Sequence, residues 1–345
     1  MKVSLYGIIM TVLLQCTAFA QDIPMTQFLA APLVLNPAMT GNVMPDDMRF
    51  SVNFRSVPST VFFDPYVTGI ASFDIAALRD RLPVGDAIGF GMVGIWNRSP
   101  SGGAQDITAG VSLAYHKAFG LEQLQHISLG VQGYMIQKNL ELDKLTYKDF
   151  YGTGPDNIIF PPTRQYDITD LSYNDFNAGV MYYGQIGPKV KASLGYSYYH
   201  LTQPVETFFS INHTVPARQT VHFAVSYDIN ELFMVKASGM FQNQTNNNVN
   251  IAGAAVGYLL NPGHDPDFMQ NRMVYAGAWY RFGSAVSPYV ELEWDKIHLG
   301  LCYDINSSDT VPNTGKKGIY EISVTYFRKA KSRVDYRGIW INPAL

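Results

Sequence analysis

The chain has 345 residues, 47% of them hydrophobic and only 15% charged, against roughly 25% charged in ordinary soluble domains. That balance disfavours a conventional soluble enzyme. The 22 Tyr, 20 Phe and 29 Gly favour pleated strands and tight turns over long helices, and a formal charge of −3 gives no basic footprint for nucleic acid.

Residues 1–20 read as a secretory signal peptide. Lys2 precedes the apolar run Val3–Leu14, and Ala18-Phe19-Ala20 supplies the small-residue cleavage pattern. The run is about 12 residues, short of the roughly 20 that span a bilayer as a helix. Cleavage after Ala20 would leave Gln21 first. Cys16 raises a lipoprotein alternative, against which stands the bulky Gln15 before it. Lys2 is the one charged residue of this stretch, so 24 basic and 28 acidic residues remain and the net becomes −4. The mature chain keeps Cys302 alone, which has no intrachain partner for a disulfide and reads as a small hydrophobe in a strand.

Residues 21–47 read as a periplasmic N-terminal segment lying outside the main fold. Beyond them the sequence alternates with period two. In Gln219–Ile229, Val221, Phe223, Val225, Tyr227 and Ile229 share one parity and His222, Ala224, Ser226 and Asp228 the other. About fourteen such segments follow one another, each near the 9–11 residues that cross a bilayer when tilted: 48–57, 66–74, 86–97, 105–117, 126–138, 173–185, 189–200, 219–229, 232–242, 249–260, 271–282, 285–294, 296–304 and 318–327.

The charges fall on one parity. Arg49 and Arg55 oppose Phe50, Val52 and Phe54; Glu291 and Glu293 oppose Val290 and Leu292; His298 and Asp304 oppose Ile297, Leu299 and Leu301. A Lys or Arg facing the bilayer midplane costs about 2–4 kcal/mol, so this segregation predicts lipid outside and polar groups inside. The fold expected is all-β, a transmembrane outer-membrane barrel of about 14 antiparallel strands over 48–327, closed because no edge is tolerated in hydrocarbon. Ile70 breaks the parity, and glycines blur it in 86–97.

Connections tend to alternate in length. Those at 185–189, 228–232 and 293–296 are tight, while 139–172, 201–218 and 305–317 are long, which puts both termini in the periplasm. The stretches 75–85 and 261–270, and the tight 282–285, disobey. The long loop 139–172 reads as a lumen plug or an external contact surface. Residues 328–345 form a basic tail with Arg328, Lys329, Lys331, Arg333 and Arg337.

Sites for chemistry are lacking. Gly89-Phe90-Gly91-Met92-Val93-Gly94 fits G-x-G-x-x-G, but no helix opens after it to meet a pyrophosphate, and close packing on a strand face is the better account. The seven His show no metal-ligand spacing, and there is no G-x-S-x-G elbow. Glu291 and Glu293 read as lumen carboxylates. No catalytic residue, cofactor or metal is expected.

Three stretches carry a resemblance. Gln27-Phe28 with Leu35-Asn36-Pro37-Ala38-Met39-Thr40-Gly41 form the first. Ala114-Tyr115-His116-Lys117, Ile127–Gly133 and Leu142–Tyr147 form the second. Pro288-Tyr289-Val290, Leu299–Ser307 and Glu321–Val324 form the third. In this order they are similar to the PorP/SprF outer-membrane proteins of the Bacteroidetes type IX secretion system. The sequence departs from that family's pattern at Arg55–Pro58, which lacks an aromatic, at Cys302 in place of a usual Ser, and in its longer tail. The resemblance implies a non-enzymatic barrel that works with periplasmic ring and lipoprotein components, including a peptidoglycan-linked one, in exporting or attaching cargo such as adhesins, with a link to gliding motility. Candidate partner-binding residues are Gln27, Phe28, Asn36, Pro37, Ala38 and Gly41 in the N-terminal segment and Arg328, Lys329, Lys331 and Arg333 in the tail. An independent pore or transporter for small solutes is the alternative, and a soluble secreted β-protein or enzyme a third reading.

Overall fold

The computed structural model describes residues 24–43, 48–58, 64–78, 81–100, 103–120, 124–140, 170–208, 211–245, 247–261, 272–306 and 318–328. Fourteen antiparallel strands close into one barrel. In chain order they are β1 (Met48–Val57), β2 (Tyr66–Ala77), β3 (Ala87–Arg98), β4 (Ala104–Phe119), β5 (Gln125–Leu140), β6 (Asp170–Ile186) and β7 (Val190–Tyr199). A short hairpin outside the wall, β8 (Val205–Phe208) and β9 (Ile211–Thr214), interrupts the series. The wall resumes with β10 (Arg218–Asp228), β11 (Phe233–Gln244), β12 (Asn247–Leu259), β13 (Arg272–Arg281), β14 (Ala285–Trp294), β15 (Ile297–Asn306) and β16 (Ile319–Arg328).

Each wall strand pairs with its neighbours in the series, and the barrel closes where β1 meets β16, from Met48 opposite Arg328 to Ser56 opposite Tyr320. Closure leaves no unpaired edge, which is the condition for a sheet in hydrocarbon. All fourteen expected segments coincide with wall strands to within a few residues. The hairpin β8–β9 was not anticipated, because four-residue arms carry too little alternation to register as period two.

The side chains are arranged inside out. Along β5, Leu129 is 62% exposed beside fully buried Ser128; along β1, Phe50, Val52 and Phe54 point outward while Arg49, Ser51, Asn53 and Arg55 are buried. An apolar exterior around a polar interior matches lipid on the outside. Exposed aromatics ring both ends. Tyr115, Tyr227, Tyr258, Trp294 and Tyr326 stand near the rim where β1 begins, and Phe54, Trp96, Phe241, Tyr280 and Tyr320 near the opposite rim. These are the amphipathic belts expected at two membrane–water boundaries. No helix among the described residues is long and apolar enough to cross a membrane.

Below, the first rim carries Met48 and Arg328, and the second rim carries Val57 and Ile319. Connections of three residues occur at both: Gly187–Lys189 at the first and Phe282–Ser284 at the second. Loop length alone therefore does not distinguish the two ends.

Candidate functional site

The lumen is filled by the chain's own N-terminal segment. Residues 24–43 contain three short helical turns, Phe28–Ala30, α1 (Pro32–Leu35) and Pro37–Met39. Pro32 and Pro37 open the second and third, where a missing N–H costs nothing and the ring presets φ. Asn36 caps the last turn, accepting from the Ala38 N–H at 2.9 Å. Such a segment has no strand periodicity to offer the wall, and it crosses the interior instead.

Its first residues lie towards the second rim. Thr26 and Gln27 donate their N–H groups to the two Glu321 carboxylate oxygens, both at 2.9 Å. The Thr26 hydroxyl meets Asp304 at 3.0 Å and Arg281 at 2.5 Å, and Arg55 donates to the Pro24 carbonyl. The path then runs inward past β5, β7 and β10. Gln132 and Tyr199 donate to the Leu33 carbonyl at 3.0 and 3.2 Å, Arg218 to Val34 at 3.2 Å and Ser197 to Leu35 at 2.8 Å. The Asn36 amide reaches the Val180 carbonyl and the His222 ring.

The segment leaves towards the first rim. His116 Nε2 meets the Thr40 carbonyl at 2.7 Å, and the Thr40 and Ser112 hydroxyls are 2.5 Å apart. Arg49 grips Asp74 through two hydrogen bonds, at 2.8 and 3.0 Å, and also donates to the Met39 carbonyl. The other Asp74 donor is the Gly41 N–H, at 2.7 Å.

Apolar packing holds the same path. Leu33 is fully buried in a cluster with Met25, Ala31, Ile70, Val93, Tyr134 and Ile136. Phe28, Leu35, Ala38 and Met39 meet Met181, Tyr183, Met240 and Ile251. Ile70 thus breaks the strand parity because it faces an apolar plug. Two glycines of β3 have the same cause: a β-carbon at Gly89 would overlap the Thr40 carbonyl, and one at Gly91 would lie 2.7 Å from Leu33. Gly130 and Gly179 are likewise pressed against Pro37 and Asn36. Gly94, the last glycine of the G-x-G-x-x-G match, has nothing nearby.

The sequence reading set residues 21–47 outside the wall. The hydrogen bonds above place 24–43 inside the barrel, where they satisfy polar groups of the luminal wall. Among the candidate partner-binding residues, Gln27, Phe28, Asn36, Pro37, Ala38 and Gly41 are buried in the lumen. Arg328 stands exposed at the end of β16, while Lys329, Lys331 and Arg333 lie outside the described residues. So do the signal peptide and most of the loop 139–172. Pro24 lies by the second rim and Arg328 at the first, so the described chain begins and ends at opposite rims.

Two features border the plug. At the second rim a vestibule of about 310 Å³ is lined by Tyr66, Tyr134, Tyr173, Tyr199, Lys138 and Arg218 among others, with the Arg218 guanidinium 3.9 Å above the Tyr199 ring. Deeper, Glu291, Glu293 and His298 bring ligand-type atoms within 4.8 Å of one another. Lys236 sits 2.8 Å from Glu293 and 3.8 Å from Glu291, and Tyr289 donates to Glu291 at 2.9 Å. The ammonium already supplies the positive charge these carboxylates need, so the cluster is an internal ion-pair network in the lumen. Cys302 is buried, with Asp304 its neighbour at 3.7 Å.

Over residues 17–326 the sequence matches the family described as type IX secretion system membrane protein PorP/SprF. The chain belongs to that family. This PorP/SprF barrel is also similar in fold to solved outer-membrane barrels. The toluene transporter TodX of Pseudomonas putida shares 11% identity at a TM-score of 0.48, covering 89% of this chain and 98% of that one. A FadL homologue from Pseudomonas aeruginosa shares 12% at 0.43, covering 85% and 92%. BamA from Haemophilus ducreyi, lacking POTRA domains 1–3, shares 10% at 0.43, covering 81% and 70%. No curated protein sequence matches the chain. The family is described as one of membrane proteins of the type IX secretion system.

Proposed function

We propose that this protein is an outer-membrane component of the type IX secretion machinery that acts by binding other proteins, in export or surface attachment of cargo such as adhesins. The observation that carries the reading is the PorP/SprF match along residues 17–326. A lumen occupied by the chain's own residues 24–43 supports it, since a general porin needs a water-filled path. Residues 1–20 are the cleaved signal peptide, the first rim faces the periplasm, and the basic stretch from Arg328 onward contacts ring or peptidoglycan-linked lipoproteins there. Bacteroidetes are the expected hosts, with gliding motility among the processes served.

The test is mass spectrometry of what co-purifies with a tagged copy extracted from its native outer membrane in mild detergent. Ring lipoproteins, a peptidoglycan-binding lipoprotein or a surface adhesin are expected. A clean barrel without them, passing steady current in a planar bilayer, would replace this reading with the independent solute pore.

A further inference from the structure

We propose that the lumen is a binding track for a polypeptide main chain, occupied in cis by residues 24–43 and able to take an apolar segment of another protein when they leave. The wall addresses the backbone of its occupant more than its side chains. Gln132, Tyr199 and Ser197 donate to carbonyls of Leu33 and Leu35, Arg49 and His116 meet those of Met39 and Thr40, and Glu321 accepts the N–H groups of Thr26 and Gln27. Every residue type but proline offers both groups, so these contacts do not depend on the occupant's sequence.

Selectivity comes from a few apolar anchors. Leu33 fills one hollow, and Phe28, Leu35 and Met39 fill a second whose lining includes Met181 and Met240. Methionine repacks around differently shaped guests at small cost. Luminal glycines keep the track open to a close main chain: side chains at Gly89 and Gly130 would meet backbone atoms of Thr40 and Pro37. The track is also continuous, from Arg55 near the second rim to Arg49 near the first, so a guest lying along it spans the wall. The vestibule at the second rim leaves about 310 Å³ beside the occupant, room for a guest to enter before the resident segment departs.

Tethering gives the cis segment an effective concentration on the order of millimolar, so a micromolar guest gains access only when that segment is loosened. This deepens the secretion reading and rests on it for the guest being a protein. The test uses purified barrel alone, so its failure is distinct from a failure of co-purification.

The probe is a fluorescent synthetic peptide of residues 24–43, added to the full mature chain in detergent. With Leu33→Ala and Asn36→Ala in the chain, saturable binding at least tenfold tighter than to the wild type is expected. In a Cys302→Ser background, Thr40→Cys with Ser112→Cys pins the segment by a disulfide. Oxidation should abolish binding, and reduction should restore it to the wild-type level. Should the loosened variant fail to fold, a protease site placed between Val43 and Met48 allows the folded wild-type contacts to be cut after assembly, and the peptide should then exchange into the cut barrel. A second peptide keeps Phe28, Leu33, Leu35, Asn36 and Met39 with every other position alanine or serine, and should bind within tenfold of the first. No saturable binding to the loosened or cut barrel, equal binding to the pinned form, or a loss beyond a hundredfold with the second peptide would each overturn the proposal.

Discussion

Arg49 gives the sharpest test of how the plug is held. Its guanidinium is fully buried, makes two hydrogen bonds to Asp74 and reaches the Met39 carbonyl, while Asp74 also accepts the Gly41 N–H. Replacing Arg49 by Met leaves a carboxylate without its counter-ion in the lumen, and breaking one side of a buried pair costs about 3–5 kcal/mol. If that cost falls on the plugged state, the plug equilibrium shifts by roughly 10²–10⁴. The partner change Asp74→Asn removes the orphaned charge but keeps an oxygen for the Gly41 N–H, so the double variant should recover most of the loss. Single-channel recording in planar bilayers reads the outcome: closed for the wild type, frequent open events for Arg49→Met, mostly closed again for the pair. Equal open probability in the single and double variants would refute the assignment of this ion pair to plug retention. So would an Arg49→Met barrel as quiet as the wild type, with its melting temperature unchanged.

Three further outcomes follow from the geometry. Leu33→Ala removes a fully buried side chain from the first apolar cluster and should cost about 2–5 kcal/mol, read as earlier urea unfolding in detergent and more open events; wild-type behaviour would mean the cluster does not hold the plug. Phe223→Arg, on the outward parity of β10, should cost about 2–4 kcal/mol in the bilayer, seen as reduced folded yield in vesicles. Ser226 faces the lumen opposite Lys191 and Lys236, so Ser226→Glu should be tolerated, and equal losses for the two would reverse inside and outside. Asp86 precedes β3: burial opposes its ionisation, but hydrogen bonds from Tyr115, Lys117 and the Ala118 N–H outweigh that and hold its carboxyl below the ordinary value. A depressed folded value contributes stability above the unfolded value and loses it as pH falls through the folded one. Asp86→Asn should therefore destabilise at pH 7 and converge with the wild type as the pH falls through the lowered folded-state value, and a pH-independent difference would remove the ionic account.

The wall was legible because strand alternation is a local code, and every side chain on a barrel strand must choose lipid or lumen. The plug was not, because residues 24–43 follow no period and their partners are distant in sequence: Thr26 meets Glu321, and Asn36 meets His222. Its imprint was nevertheless in the strands. Ile70, Met181, Met240 and Ile251 place apolar side chains on the polar parity, and Gly89, Gly91, Gly130 and Gly179 leave that face bare. Read together, apolar and empty positions on a luminal face mark where something packs against it. The residues that resembled a family signature, Asn36-Pro37-Ala38, proved to be the centre of the plug.

The plug also bears on closure of the barrel. Its first residues sit across the seam between β1 and β16: Arg55 and Glu321, 3.3 Å apart on opposing strands, both bind residues 24–27, and Asp304 of β15 and Arg281 of β13 hold the Thr26 hydroxyl. This docking site is complete only when the first and last strands have met, so closing and plugging stabilise each other by linkage. Thr26→Ala removes the hydroxyl from the plug side, and Glu321→Gln removes the ionic partner from the seam. Acting on one coupled structure, the two should be non-additive by about 0.5 kcal/mol or more in a double-mutant cycle on unfolding in detergent. Strict additivity would mean that the seam closes without regard to what lies inside it.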